Sequence, residues 1–215
     1  HSFENNLLKL DILGHDDPTI IKYLMDYVHE HPEDFPFSNP QEIPVDDKNV
    51  YQLFEEIIEH LLNDAKPSIY LQEARKCFIN TPLQILSELE TVEQEKKYHP
   101  EGNVLNHVML VVDRAASLRE YAYSPKEFMI AALFHDLGKK AATRKNKSGR
   151  LISYDHDKIG AELVSDILEY YGMKKEEIIK ISSLVRYHMH HLFIIKDLPY
   201  GNTEKMIKET DLNDM

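Results

Sequence analysis

Cysteine is all but missing: Cys77 is the only one in 215 residues. A lone thiol forms no disulfide within the chain and cannot build a Cys-rich zinc site. Its solitude fits a reducing, cytoplasmic setting. Glycine is scarce, at seven residues, and so are long runs of alternating β-branched residues. Leu, Ile, Glu, Lys and Ala dominate instead, which favours helix. No signal peptide and no apolar run of transmembrane length is found, so no membrane partner is expected. Positive charge is in deficit, with a formal net charge of −12. Non-specific nucleic-acid affinity comes mainly from neutralised phosphates, so a general nucleic-acid coat is excluded. One local exception stands out: Lys139, Lys140, Arg144, Lys145, Lys147 and Arg150. That run reads either as a phosphate-facing patch or as a solvated loop.

What is present suits a folded helical protein. The hydrophobic fraction is 42%, with eight Phe and twelve Tyr, too apolar for disorder. The length allows one sizeable domain, with or without a helical extension. The chain opens on His1 rather than Met, which reads as a fragment, and His1 is set aside as tag-like. Asp17-Pro18 looks like an N-cap with proline in the first helical position, followed by a stripe from Ile20 to Val28. Four prolines between positions 31 and 44 mark an irregular loop. Val50, Leu53, Phe54, Ile57, Ile58, Leu61 and Leu62 then recur at helical spacing. Thr81-Pro82 with Gln84 resembles a capping box. Residues 1–80 read as an N-terminal helical extension and 81–215 as the main domain.

Beyond the loop at Tyr98–Gly102, histidines fall on apolar helix faces. His107 shares a face with Val104, Val108, Val111, Ala115 and Leu118. The helix opened by Ser124-Pro125-Lys126-Glu127 carries Phe128, Ala132 and His135 on one stripe. Asp136 follows, and Gly138 is expected to end this helix in a left-handed conformation. His156 leads a face with Gly160, Leu163, Val164, Ile167 and Tyr171, and Gly172 ends that helix. Ile181, Leu184 and Val185 lead to His188. Any one such histidine reads as an ordinary core residue. Four together, one beside an acid, need partners, because buried imidazole is costly unless paired. One or two metals would satisfy them jointly. Imidazole and carboxylate donors suit zinc, iron, nickel, manganese or cobalt, with magnesium a further option.

The run Ala131-Ala132-Leu133-Phe134-His135-Asp136-Leu137-Gly138-Lys139 resembles the signature of the HD superfamily of metal-dependent phosphohydrolases. The order His107, His135-Asp136, His156, His188 resembles that superfamily's wider pattern. Three segments are similar to the HD domain of bacterial tRNA nucleotidyltransferases and their stand-alone relatives: His99-Pro100-Glu101-Gly102 with Asn106-His107, Asp155 to Ala161, and Leu184 to Met189. The resemblance covers roughly residues 81–215. It implies an all-α helical bundle that hydrolyses phosphate mono- or diesters with a divalent metal. The implied substrate is a small phosphorylated molecule such as a nucleotide, a cyclic phosphate or an RNA end. His107, His135 and Asp136 match first-metal ligands, and His156 and His188 match positions for a second metal or for substrate phosphate. A final Asp ligand is expected after His188. Asp197, Asp211 and Asp214 are the only candidates, and the expectation is a ligand just past Met215, with Asp211 as substitute.

Roles follow from this reading. Asp136 would orient water or move protons as a general base. Lys139 would contact a phosphate oxygen, or else be an exposed lysine at a helix end. Arg144 is a weaker phosphate candidate of the same kind. Glu101 could support His107 from behind, and His190 and His191 read as a solvent-facing pair, or else as residues lining the pocket. The loops 98–102 and 139–154 are expected to form the pocket. No nucleotidyltransferase motif precedes the histidines, and no Gly-Tyr-Pro tripeptide of the cyclic-dinucleotide branch occurs. Two rival readings remain: a non-catalytic RNA- or protein-binding module with a degenerate site, and a di-iron oxygenase. Oligomeric state is not legible.

Overall fold

A computed structural model describes residues 47–198 and 202–210. The Asp17-Pro18 helix start, the stripe after it and the Pro-rich loop lie outside the described residues. The architecture is all-α, with a single two-stranded hairpin as the only sheet among the described residues.

The 50–62 periodicity folds as α1 (Asp47–Asn63), burying Val50, Phe54, Ile57, Ile58 and Leu61. Phe54 stacks on Tyr171 at 4.2 Å between ring centres. α2 (Pro67–Ala74) starts on a proline and lies against α4 (Val104–Ala116). Between them, α3 (Gln84–Glu88) begins later than the Thr81 capping box predicts. The Thr81 hydroxyl accepts from Leu83 N at 3.2 Å, while Gln84 Oε1 accepts from Asn80 N at 3.0 Å. The local bonds of a cap are therefore made, but across a turn that precedes the helix.

The central element is α5 (Pro125–Phe134). Its sequence is apolar on every side, and Met129, Ile130, Ala131, Leu133 and Phe134 are all buried. Such a helix must be surrounded, and α1, α4 and α8 (Lys175–Tyr187) all pack on it. Each large side chain buried there contributes roughly 1.5–3 kcal/mol. Ser124 is its N-cap residue, although the Ser124 hydroxyl meets Lys180 Nζ instead of capping the helix. α7 (His156–Tyr170) packs along α8, and Gly172, at φ +69°, ends α7 as expected. A short α6 (Lys139–Ala142) leads into β1 (Arg144–Lys145) and β2 (Leu151–Ile152). α9 (His190–Ile195) and α10 (Thr203–Glu209) follow α8, with Met206 buried. The helices before residue 81 and those after it share one buried core.

Gly138 departs from expectation. Its φ of −62° is right-handed, so it does not act as a left-handed helix stop. Glycine is needed there because the turn after α5 comes too close to the start of α7: a Cβ would lie 2.0 Å from His156 O and 2.6 Å from Gly160 N. Gly160 meets Gly138 from the other side, with its own added Cβ 3.3 Å from Gly138 N. This contact brings the segment after α5 against the start of α7. Gly138→Ala is expected to cost about 3 kcal/mol through overpacking against backbone, read as a clear fall in melting temperature. Gly149→Ala, where a Cβ meets nothing within 4 Å but φ is +78°, should cost only about 1 kcal/mol.

Candidate metal centre

The histidines come together at helix ends. His107 lies in the first turn of α4, His156 opens α7, and His135 and His188 are the C-cap residues of α5 and α8. Asp136, in the turn after α5, is buried among them at 1% exposure. One carboxylate oxygen, Oδ2, is 3.3 Å from His135 Nε2 and 3.8 Å from His107 Nε2. The other, Oδ1, is 3.4 Å from His156 Nε2 and 3.8 Å from His188 Nε2. Two groups able to hold a metal result, His107–His135–Asp136 and Asp136–His156–His188, joined through one carboxylate. Adjacent helical residues point about 100° apart, and His135 and Asp136 converge because the helix stops between them.

The hydrogen bonds on the far side of each ring set its tautomer. His135 Nδ1 donates to Ala132 O at 2.9 Å, His156 Nδ1 to Ser153 O at 2.7 Å and His188 Nδ1 to Val185 O at 2.7 Å. A carbonyl can only accept, so each Nδ1 carries the proton and each neutral ring presents an Nε2 lone pair. For His135 and His188 the acceptor is an otherwise orphaned carbonyl of the last helical turn. His107 Nδ1 donates instead to Glu101 Oε1 at 2.7 Å, which also accepts from His99 Nδ1 at 3.0 Å. Carboxylate support of this kind fixes and strengthens a metal-binding imidazole. Gly102, at φ +98°, makes the turn beside Glu101, and Asn106 Nδ2 holds Glu101 O at 2.9 Å.

The donor set fits a cation. His156 Nε2 and His188 Nε2 face each other at 3.2 Å, two lone pairs with no proton between them in the neutral tautomers. Asp136 Oδ2 is buried and forms no well-directed hydrogen bond, although Lys139 Nζ is 2.8 Å away. Burial would raise the Asp136 carboxyl, but His135, Lys139 and His188 outweigh it and hold it well below the usual carboxylate range. Burial also pushes His107 and His156 below the ordinary imidazole value. Burial, with His135 beside it, takes His188 down to about 3. All three rings are thus kept neutral and able to coordinate at neutral pH.

A cavity of about 680 Å³ opens beside His107, His135 and His188. One wall is a stripe of α4, His107, Leu110, Val111, Arg114 and Ala115, continued by Leu118 just after the helix. The buried face of α4 is instead Val104, Leu105, Val108, Met109 and Val112. His107 thus sits on the cavity side of α4, not on its core face, because the apolar stripe is wide enough to serve both. Tyr98, His99 and Glu101 line the mouth as expected of that loop, but no residue of 139–154 lines this cavity. Arg144 is not brought into it; it lines a separate cleft of about 400 Å³ with Lys140 and Lys145. Lys139 is not an exposed helix-end lysine: its side chain is 11% exposed and its Nζ reaches Gln94 Oε1 at 2.7 Å. His190 is buried against Tyr187, so the expected solvent-facing pair is broken, and only His191 is exposed. Asp197 is exposed, while Asp211 and Asp214 lie outside the described residues. Gln94 went unnoticed in sequence. Buried, it ties Lys139 to Asn103 O (3.2 Å), and nothing in a lone glutamine signals that role.

The depressed imidazoles carry a sign. Below about pH 6.5 the unfolded chain takes up protons that His107, His156 and His188 refuse when folded. The metal-free protein should therefore lose stability as pH falls from 6.5, and for His188 the loss continues to about 3. Asp136 adds a loss in the same direction at more acid pH. Melting temperature recorded from neutral pH to about 4.5 should fall, and His188→Gln should flatten the slope. A flat wild-type profile would contradict this electrostatic picture.

Comparison with known proteins gives two findings. A segment of 54 residues is 52% identical to the PolC-type DNA polymerase III of Staphylococcus aureus, covering 25% of this chain and 3% of that protein. The polymerases of strains MW2 and USA300 match to the same extent. The chain therefore spans a very small part of these relatives. No solved structure matches the chain. The HD domain family matches residues 104–211, half of the chain, and includes all four histidines and Asp136. On that match the chain belongs to the HD domain family.

Proposed function

We propose that this chain is a metal-dependent phosphoric ester hydrolase acting on a nucleotide, a cyclic phosphate or an RNA-end phosphate. The observation that carries the reading is Asp136, whose two oxygens each face a separate pair of imidazole Nε2 atoms. His107, His135 and Asp136 would hold one divalent cation, and Asp136, His156 and His188 a second. Bound there, such a metal supplies Lewis acidity and a water ionised near neutral pH.

The chain's own groups supply the rest. Asp136 Oδ2, with no well-directed hydrogen bond, can orient a water or take its proton. Lys139 Nζ, fixed by Gln94, brings a positive charge beside that carboxylate and would meet a phosphoryl oxygen. Leu110, Val111, Ala115 and Phe128 wall the cavity and keep bulk water from the leaving group. Arg144 would act only on a substrate long enough to leave this cavity.

The finer likeness, to the HD domain of tRNA nucleotidyltransferases, rests on His99–Gly102 with Asn106-His107, on Asp155–Ala161 and on Leu184–Met189. The structure adds support by putting Glu101 of the first segment on His107. We also propose residues 1–80 as a helical extension to an HD domain spanning 81–215.

Elemental analysis of purified protein should find one or two equivalents of transition metal, lost in His135→Ala/Asp136→Ala. Glu101→Gln should weaken metal retention about 10- to 100-fold in a chelator competition. Hydrolysis of nucleotides and cyclic phosphates should follow metal loading. Persistent absence of bound metal after incubation with manganese, iron, nickel, cobalt or zinc would sink this reading. A loaded protein that consumes oxygen and cleaves no phosphate ester would point to the di-iron oxygenase instead.

A further inference from the structure

Of the basic run the metal centre takes up only Lys139, and the structure gives the rest a shape. β1 and β2 pair antiparallel, Arg144 opposite Ile152 and Lys145 opposite Leu151. The tip is tied by Asn146, whose Oδ1 accepts from Ser148 N (3.0 Å), Ser148 Oγ (2.7 Å) and Arg150 N (3.0 Å). Below the strands, Thr143 and Ser153 join their hydroxyls at 2.8 Å. Arg144, Lys145, Lys147 and Arg150 are exposed on this braced hairpin. Neighbouring ion pairs use other cations: Lys140 with Glu88, Lys158 with Asp155, and Arg186 with Asp157. Among the described residues, none of the four hairpin cations pairs with a carboxylate.

The hairpin borders the mouth of the histidine cavity. The Arg150 guanidinium lies 5.6 Å from the centre of the Tyr98 ring, and Lys97 Nζ lies 5.5 Å from it. Tyr98 is 57% exposed and lines the cavity. Lys96 and Lys97 precede it, both exposed, and Tyr154, 65% exposed, follows β2. In the cleft beside the hairpin, Lys140, Arg144 and Lys145 face a single carboxylate, Glu93. Cations interleaved with open aromatic rings suit an extended polyanion with planar groups. Phosphates meet Lys and Arg while bases stack on rings. On a chain of net charge −12, that polyanion would be repelled elsewhere.

We propose that the 144–152 hairpin and the Lys96–Lys97–Tyr98 loop form a docking surface for single-stranded nucleic acid, guiding its terminal phosphate into the histidine cavity. The docking rests on the hairpin and loop alone; delivery of the terminal phosphate rests on the hydrolase reading above.

The test uses the full chain and a short fluorescent oligouridylate ending in a phosphate. Fluorescence anisotropy should show binding that weakens with salt. Lys145→Glu/Lys147→Glu/Arg150→Glu should lose at least about tenfold in affinity, and its log–log salt slope should shrink by roughly 2, about 0.7 for each phosphate contact removed. Tyr98→Ala should lose about tenfold through stacking. Circular dichroism should confirm that both variants stay folded. With metal loaded, the triple variant should keep turnover of p-nitrophenyl phosphate and lose it on the oligonucleotide. Equal oligonucleotide binding by wild type and triple variant overturns the docking surface, even if p-nitrophenyl phosphate is hydrolysed. Binding that the triple variant loses, with no phosphate ester cleaved by either protein, keeps the docking surface and overturns the hydrolase reading.

Discussion

A buried carboxylate is the constraint around which this domain is arranged. Asp136 is enclosed almost completely, and leaving such a charge uncompensated would be very costly. Lys139 Nζ, 2.8 Å away, offsets part of that charge, and imidazoles from four helices complete clusters able to hold a cation that would offset the rest. His107, His135, His156 and His188 each turn an Nε2 toward it, and Lys139 returns to it from the next helix. The close approach at Gly138 and Gly160 brings the segment holding Asp136 against the start of α7, where His156 begins. Packing and electrostatics therefore act on the same few residues.

The histidines work from helix ends because ends offer what helix interiors lack. A terminal carbonyl of α5 or α8 has no partner within its own helix, and His135 or His188 supplies one through Nδ1. That bond caps the helix and orients the ring in a single step. His107 stands apart, held by Glu101 from a loop that needs glycine at Gly102. Helix-end carbonyls therefore orient His135 and His188, while groups from loops orient His107 and His156.

The surroundings divide in two. The cavity beside the histidines is walled mostly by apolar side chains of α4 and α5, suited to a planar or apolar group. The hairpin outside it is basic on an otherwise acidic chain. Tyr98 belongs to both, lining the cavity while carrying Arg150 on its ring. A ligand that uses both regions needs a compact reacting end and an extended anionic body.

Much of this was legible from residue spacing. The apolar period of α1, the stripe of Phe128, Ala132 and His135 and the scarcity of glycine and β-branched alternation pointed to an all-α fold, because burial patterns are local in sequence. The clustering of His107, His135, Asp136, His156 and His188 could be anticipated from their faces and order. Tertiary structure decided what depends on distance between elements. It made Gly138 a contact glycine and not a helix stop, because the approach of the turn after α5 to the start of α7 is invisible in either segment alone. It buried His190, seated Gln94 against Lys139, and set Arg144 outside the histidine cavity. For Gly138 and Gln94 the cause is a neighbour far away in sequence, and periodicity along one helix carries no information about what faces it.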